Sequence, residues 1–207
     1  MTSKSQDSKK SKVATIGFRA KTARAIAVAL GAGAGSPAYI ARWEIVLHDP
    51  KLPATSQPHH EVMELPWTRA QAAVQPLERR IEAVAIRTLS GLLADLQSKG
   101  FGVSGVGVVG SPDRKLESIG NPHIRAHAAE GILFRRVLEV AAAEHQLQCR
   151  SFSDRDFDAV ILPQLRRSTE DINNALAAIG RAAGRPWRAD ERAAAVAAWL
   201  MMLEARA

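Results

Sequence analysis

The stretch Gly100-Phe101-Gly102-Val103-Ser104-Gly105-Val106-Gly107-Val108-Val109-Gly110 constrains the fold of this chain more than any other. Valine and glycine alternate in a short apolar run that lies between two long helical patterns and closes on the turn signal Ser111-Pro112-Asp113. This pattern is that of a buried central strand in an α/β sheet. Its glycines have two readings. They let a ligand come close to the backbone beyond the strand's carboxyl end, or they serve the packing of a helix on the sheet.

The segments before this strand predict a three-strand meander. Residues 13–18 and 23–30 are strand-like and joined by the basic turn Arg19-Ala20-Lys21-Thr22, and residues 39–47 place Trp43, Ile45 and Leu47 on one face. Residues 48–66 hold Pro50, Pro53, Pro58 and Pro66, too many breakers for a regular element, and are expected to be a long surface loop. From Pro76, Leu77, Ile81, Val84, Ala85, Leu89, Leu92 and Leu96 recur at helical spacing until Gly100.

After the glycine-rich strand, Asn121-Pro122 opens a helix expected to reach about His145, with Ile124, Ala128, Ile132 and Val140 facing inward. Residues 147–152 read as a fifth strand. The helix between makes it a parallel neighbour of the glycine-rich strand. Helical segments then follow at about 154–162, 169–183 and from Asp190 onward, the last one alanine-rich and suited to lie close against the sheet. Asp190 and Glu191 stand in its first turn, where the helix dipole favours acids.

Charge needs dissecting before it is used. The chain of 207 residues carries a net charge of +7. Residues 1–12 contain Lys4, Lys9, Lys10 and Lys12 against Asp7 and read as a disordered basic tail. The rest, residues 13–207, is expected to form a single domain that is only mildly basic. A single cysteine, Cys149, excludes an intrachain disulfide and is read as a strand residue, not a nucleophile. No apolar run is long enough to span a bilayer, so a soluble cytoplasmic protein without a membrane partner is expected.

His59-His60-Glu61 offers metal-ligand chemistry, but without a second cluster at ligand spacing it reads as part of a solvated loop. His123, His127 and Glu130 lie at i, i+4 and i+7 on one side of a helix; a hydrolase could use such a trio, although a solvent-facing helix side carries such residues by chance.

The order of elements is that of the ribonuclease-H-like fold: a mixed five-stranded sheet, with a three-strand antiparallel meander plus parallel strands, flanked by helices. Within it the chain resembles the RuvC-type Holliday-junction resolvases over roughly residues 13–203. Residues 121–152 resemble that family's long helix and fifth strand. Leu162-Pro163-Gln164-Leu165-Arg166-Arg167 and the helix after it resemble its basic segment, and Pro186-Trp187-Arg188-Ala189-Asp190-Glu191-Arg192-Ala193-Ala194-Ala195-Val196-Ala197 its last helix.

The resemblance implies carboxylates on the first strand, the fourth strand and the last helix, holding two divalent cations with hard oxygen donors. Where the family's first strand carries Gly-Ile-Asp, this chain has Ile16-Gly17-Phe18-Arg19, which aligns Phe18 with the ligand and puts Phe18 or Arg19 in the ligand's place. The fourth-strand acid falls near Val109-Gly110 and the second acid of the last helix at Ala193; only Asp190 matches.

The expectation is therefore a ribonuclease-H-like protein with a degenerate site, lacking metal-dependent nuclease activity and acting as a nucleic-acid-binding or scaffold protein. No metal or cofactor is expected. DNA or RNA contacts fall to Arg19, Lys21, Arg24, Arg114, Lys115, Arg166 and Arg167, near the edge that faces DNA in the family. The alternative is a hydrolase or nuclease with a rearranged site drawn from Asp113, His127, Glu130 or Asp190, and only that alternative calls for Mg²⁺ or Mn²⁺. Self-association is a further expectation, with Trp67, Trp187 and Trp199 as interface residues.

Overall fold

The computed structural model describes residues 12–155 and 157–205, so the basic tail, Lys12 aside, lies outside the described residues. Strands β1 (Lys12–Lys21), β2 (Arg24–Ala32), β3 (Pro37–Val46), β4 (Phe101–Gly110) and β5 (Gln148–Ser153) form one sheet in the order β3-β2-β1-β4-β5. The first three are antiparallel, while β4 runs parallel to β1 and β5 parallel to β4. The expected meander and parallel extension are thus both present. One detail is corrected: β4 is an interior strand, but β1 is the middle one, because the meander adds two strands on one side and the crossover adds only β5 beyond β4.

Helices α1 (Pro58–Glu61), α2 (Trp67–Ser98), α3 (Pro122–Glu144), α4 (Phe157–Val160), α5 (Thr169–Ala183) and α6 (Ala189–Glu204) complete the fold. Strand alternation divides the side chains between two cores. Ile16, Phe18, Val106 and Val108 meet Ala85 and Leu89 of α2 and Phe134 and Leu138 of α3 on one face. Val28, Leu30 and Val109 meet Leu176 of α5 and Ala194, Ala198 and Trp199 of α6 on the other.

Helix α6 lies almost on the strands. A Cβ on Gly17 would fall 1.8 Å from the Ala194 carbonyl oxygen, and one on Gly107 would fall 2.7 Å from that of Ala197. The paired glycines, adjacent in the β1–β4 register, are therefore seats for a helix backbone, and this decides between the two readings of the glycine-rich strand. Buried Thr15 completes the contact by donating its Oγ1 proton to the Ala198 carbonyl at 2.7 Å.

Four local expectations are corrected. The helix expected from Pro76 begins nine residues earlier, with Pro76 inside it; burial of Ala70 and Val74 outweighs the backbone hydrogen bond that the proline forgoes. Ile124 and Val140 of α3 are exposed, since apolar residues surround much of this helix and the buried stripe runs instead through Ala126, Ala129, Leu133, Val137 and Ala141. Trp199, expected at an interface, is buried in the core beneath α6.

Residues 48–66 are packed, not a loose surface loop. A short 3-10 turn at Pro53–Thr55 and helix α1 each start at a proline in the first helical position, which converts breakers into starters. Thr55 Oγ1 accepts from the Asp49 amide at 2.9 Å and donates to the Leu52 carbonyl at 2.6 Å. The Asp49 carboxylate receives the Lys51 amide at 2.9 Å and the Arg80 Nε of α2 at 2.5 Å. These bonds hold the segment to the sheet-covering layer.

Two outcomes follow. Gly17→Ala should cost at least about 3 kcal/mol in urea denaturation, because the added methyl meets backbone that cannot turn away. The Lys51 amide, and after it the Arg80 guanidinium, hold the Asp49 carboxyl below its ordinary range. The stability from this lowered acid is present at neutral pH and is lost as the pH falls below about 4. Asp49→Asn should therefore lower stability at pH 7 and flatten the acid limb of a stability–pH profile.

Candidate functional site

Alternation along β1 sends Thr15, Gly17 and Arg19 toward α6, and Ile16, Phe18 and Ala20 toward α2 and α3. The residue that meets the last helix is therefore Arg19. Of the two residues expected in the place of a metal-binding acid, Phe18 and Arg19, Phe18 is fully buried in the opposite core.

The Arg19 guanidinium lies between two carboxylates from distant parts of the chain. Its Nη2 is 3.0 Å from Asp154 Oδ2, just past β5, and its Nε is 3.6 Å from Asp190 Oδ1, in the first turn of α6. Lys21 Nζ reaches the same Asp190 oxygen at 3.2 Å. Two acids thus face two bases at the carboxyl end of the parallel strands. Next to Arg19 in the register, β4 supplies Val109. Asp154 carries no functional signal in the sequence, where it reads only as the start of a short helical segment.

The other expected residues divide among separate places. Arg24 pairs with Glu44 at 3.0 Å across β2 and β3. Asp113 is exposed and turned to the α3 side, where it meets Arg135 Nη2 at 2.5 Å, away from Asp190. Arg135, which the sequence pattern does not single out, is buried and also binds Glu139 and the Ser111 carbonyl. Arg114 and Lys115 are exposed and form no ion pair among the described residues.

Arg166 and Arg167 do not join the others at one edge. Arg167 Nη2 donates to the Gly35 carbonyl at 3.0 Å, in the connection between β2 and β3, and both arginines line a groove with Leu200, Leu203 and Glu204 at the far end of α6. Because α6 runs antiparallel to β1, these two residues sit at the opposite end of the sheet from Arg19.

A second cluster forms on the α3 side. His123 and His127, one turn apart on α3, converge with His60 of α1, and one ring nitrogen from each lies within 4.8 Å of the others. Behind them, Glu130 is fully buried and accepts from His60 Nδ1 at 2.7 Å and from the His60 amide at 3.3 Å. The solvated-loop reading of His60 is thereby corrected, since α1 packs on α3. Its neighbour His59 is also buried but meets Glu78 Oε1 at 3.4 Å, outside this cluster.

Cys149 keeps solvent contact on β5, yet desolvation of its thiol, helped by the nearby Glu139 carboxylate, pushes it up to about 11. It is unsuited to act as a nucleophile at neutral pH.

The sheet order, the layered helices and the seat of α6 define a ribonuclease-H-like fold, and solved structures of this class match nearly the whole chain. The chain is similar to Thermus thermophilus RuvC at 12% identity and TM-score 0.51, covering 93% of this chain and 95% of that one. It is likewise similar to T. thermophilus RuvC in complex with Holliday junction substrate, at 12% identity and TM-score 0.52, covering 94% and 95%. Likeness at this identity shows the fold. No model of a known protein family matches the chain, and no curated protein sequence matches it. Among the described residues no helix is long and apolar enough to cross a membrane.

The Arg19–Asp154 pair is partly shielded, so a double-mutant cycle on Arg19→Met and Asp154→Asn should give a coupling of about 1 kcal/mol at low salt. Repeating it in high salt should shrink that coupling.

Proposed function

We propose that this chain is a nucleic-acid-binding protein on a RuvC-like fold that does not use carboxylate-held metal ions to cut its partner. The ion-pair network around Arg19 carries this reading. In RuvC-type nucleases, as the resemblance has it, acids on the first strand, the fourth strand and the last helix hold two divalent cations. Here the corresponding end of the sheet offers Arg19 and Val109 on the strands, and Asp154 and Asp190 already face Arg19 and Lys21. That donor set does not fit a pair of hard cations, which require several free oxygen ligands.

Binding can outlast such chemistry, because phosphate contacts need only positive charge and reach. Arg114 and Lys115, exposed in the segment that follows β4, are the cations most available for it, and the fold is shared with a structure containing Holliday junction substrate. A second reading, an enzyme of different chemistry on this fold, draws support from one observation: His127 and Glu130 belong to a cluster with His60 and His123.

The test uses full-length protein and labelled four-way junction, duplex and single-stranded DNA and RNA. Expected are salt-dependent binding and no cleavage with Mg²⁺ or Mn²⁺. Arg114→Ala with Lys115→Ala should lower the slope of log affinity on log salt by about 0.9 for each duplex phosphate that the two side chains neutralise. Neutralising Lys4, Lys9, Lys10 and Lys12 separates the contribution of the basic tail. Metal-dependent cutting that survives in repurified protein and disappears in Asp190→Asn would overturn the proposal, as would failure to bind any nucleic acid at about 50 mM salt.

A further inference from the structure

His60, His123 and His127 meet because two short-range devices fix their elements. Pro58 and Pro122 occupy the first positions of α1 and α3, and the Asn121 side chain caps α3 by accepting from the Ile124 amide at 3.0 Å. The spacing of one helical turn brings His123 and His127 to one side of α3, and α1 lays His60 against them. The rings stand edge to face, with centroids 4.6–5.0 Å apart and interplanar angles of 74–84°. One ring nitrogen from each lies within 4.8 Å of the others, and His123 and His127 are exposed to solvent.

Glu130 supplies an independent observation. It is fully buried, and its Oε2 has no hydrogen-bond partner among the described residues, while Oε1 takes both bonds from His60. A buried carboxylate needs positive charge nearby. Accepting the Nδ1 proton of His60 also fixes the ring's orientation and leaves Nε2 as a lone-pair donor, the arrangement in which a carboxylate supports a metal-bound imidazole from behind. The other three histidines are engaged elsewhere: His48 with the Ala23 carbonyl at 3.3 Å, His59 with Glu78 at 3.4 Å and His145 with Ser90 at 3.0 Å.

We propose that His60, His123 and His127 form a binding site for a divalent transition metal of the zinc class, with Glu130 as the positioning residue of His60. Three imidazoles suit zinc or its neighbours and are poor ligands for Mg²⁺ or Ca²⁺, which prefer oxygen. Tetrahedral zinc places its ligand nitrogens about 3.4 Å apart. The present separations close to that value through small rotations of the two solvent-facing rings. Three protein ligands leave the fourth position to water, the coordination of a site that can activate or exchange a ligand. The site lies on the α3 layer, on the other side of the sheet from Arg19, and does not depend on whether the protein binds nucleic acid.

The experiment takes the full chain without a polyhistidine tag, strips it with a chelator and titrates Zn²⁺ against a chromophoric competitor, with Co²⁺ absorption as a second readout. Expected are one Zn²⁺ per chain, Co²⁺ bands of four-coordinate intensity and no competition from millimolar Mg²⁺. His123→Ala and His127→Ala, at exposed positions that should not disturb folding, should each weaken Zn²⁺ binding at least 100-fold and abolish the Co²⁺ bands. Glu130→Gln should retain the stoichiometry but weaken binding about 10–100-fold. Absence of stoichiometric Zn²⁺ binding, or binding unchanged when His123 and His127 are both replaced, overturns the site. Unchanged affinity in a folded Glu130→Gln protein overturns the role given to Glu130.

Discussion

The seat of α6 on β1 and β4 is the contact on which the other features depend. Gly17 and Gly107 let helix carbonyls approach the strand backbone at distances that no Cβ would permit, and the Thr15 hydroxyl bonds into that surface. The alanines of α6 are the other half of the fit. A helix held this closely brings its first turn to the carboxyl end of β1, so Asp190 comes within reach of Arg19 and Lys21. Position on the helix and alternation on the strand together determine which charges meet.

What meets there is internally balanced. Acids in the first turn of a helix are favoured by its dipole, but two acids near one another also need a cation. Arg19 supplies it from within the chain, and its planar fork can address Asp154 and Asp190 together, as a lysine point charge could not. The pairing also ties β1, the segment after β5 and α6 to one another. A charge fixed in this way is less available to an outside phosphate than that of Arg114 or Lys115, which are exposed and form no ion pair among the described residues.

The element order was legible because it rests on periodicity: strand alternation, the helical repeat of Ile81, Ala85, Leu89, Leu92 and Leu96, and the cap at Asn121. Prolines misled at residues 48–66 and at Pro76, since the same residue stops a helix in mid-course and starts one at its first position. Face assignment failed in α3, where apolar residues lie on several sides and only packing selects the stripe. The site was less legible than the fold. Asp190 stood out by its match to the family's last helix, and Phe18 and Arg19 both stood near the ligand's place, but only alternation along β1 sends them to opposite faces of the sheet. Asp154 and Arg135 gave no local signal, and His60 stood in the sequence more than 60 residues before its partners, beside a histidine that turns elsewhere.

The two clusters also explain why likeness of fold carries little information about activity here. The sheet separates them: one is built on the layer of α6, the other on the layer of α1 and α3, and they share no residue. Sites that share no partners can change independently without disturbing each other's energetics. An ion-paired end of the sheet therefore says nothing against chemistry on the opposite layer, and a histidine cluster there says nothing for cleavage at the end of β1. Each follows from its own side chains, since the scaffold they share constrains where they stand and not what they do.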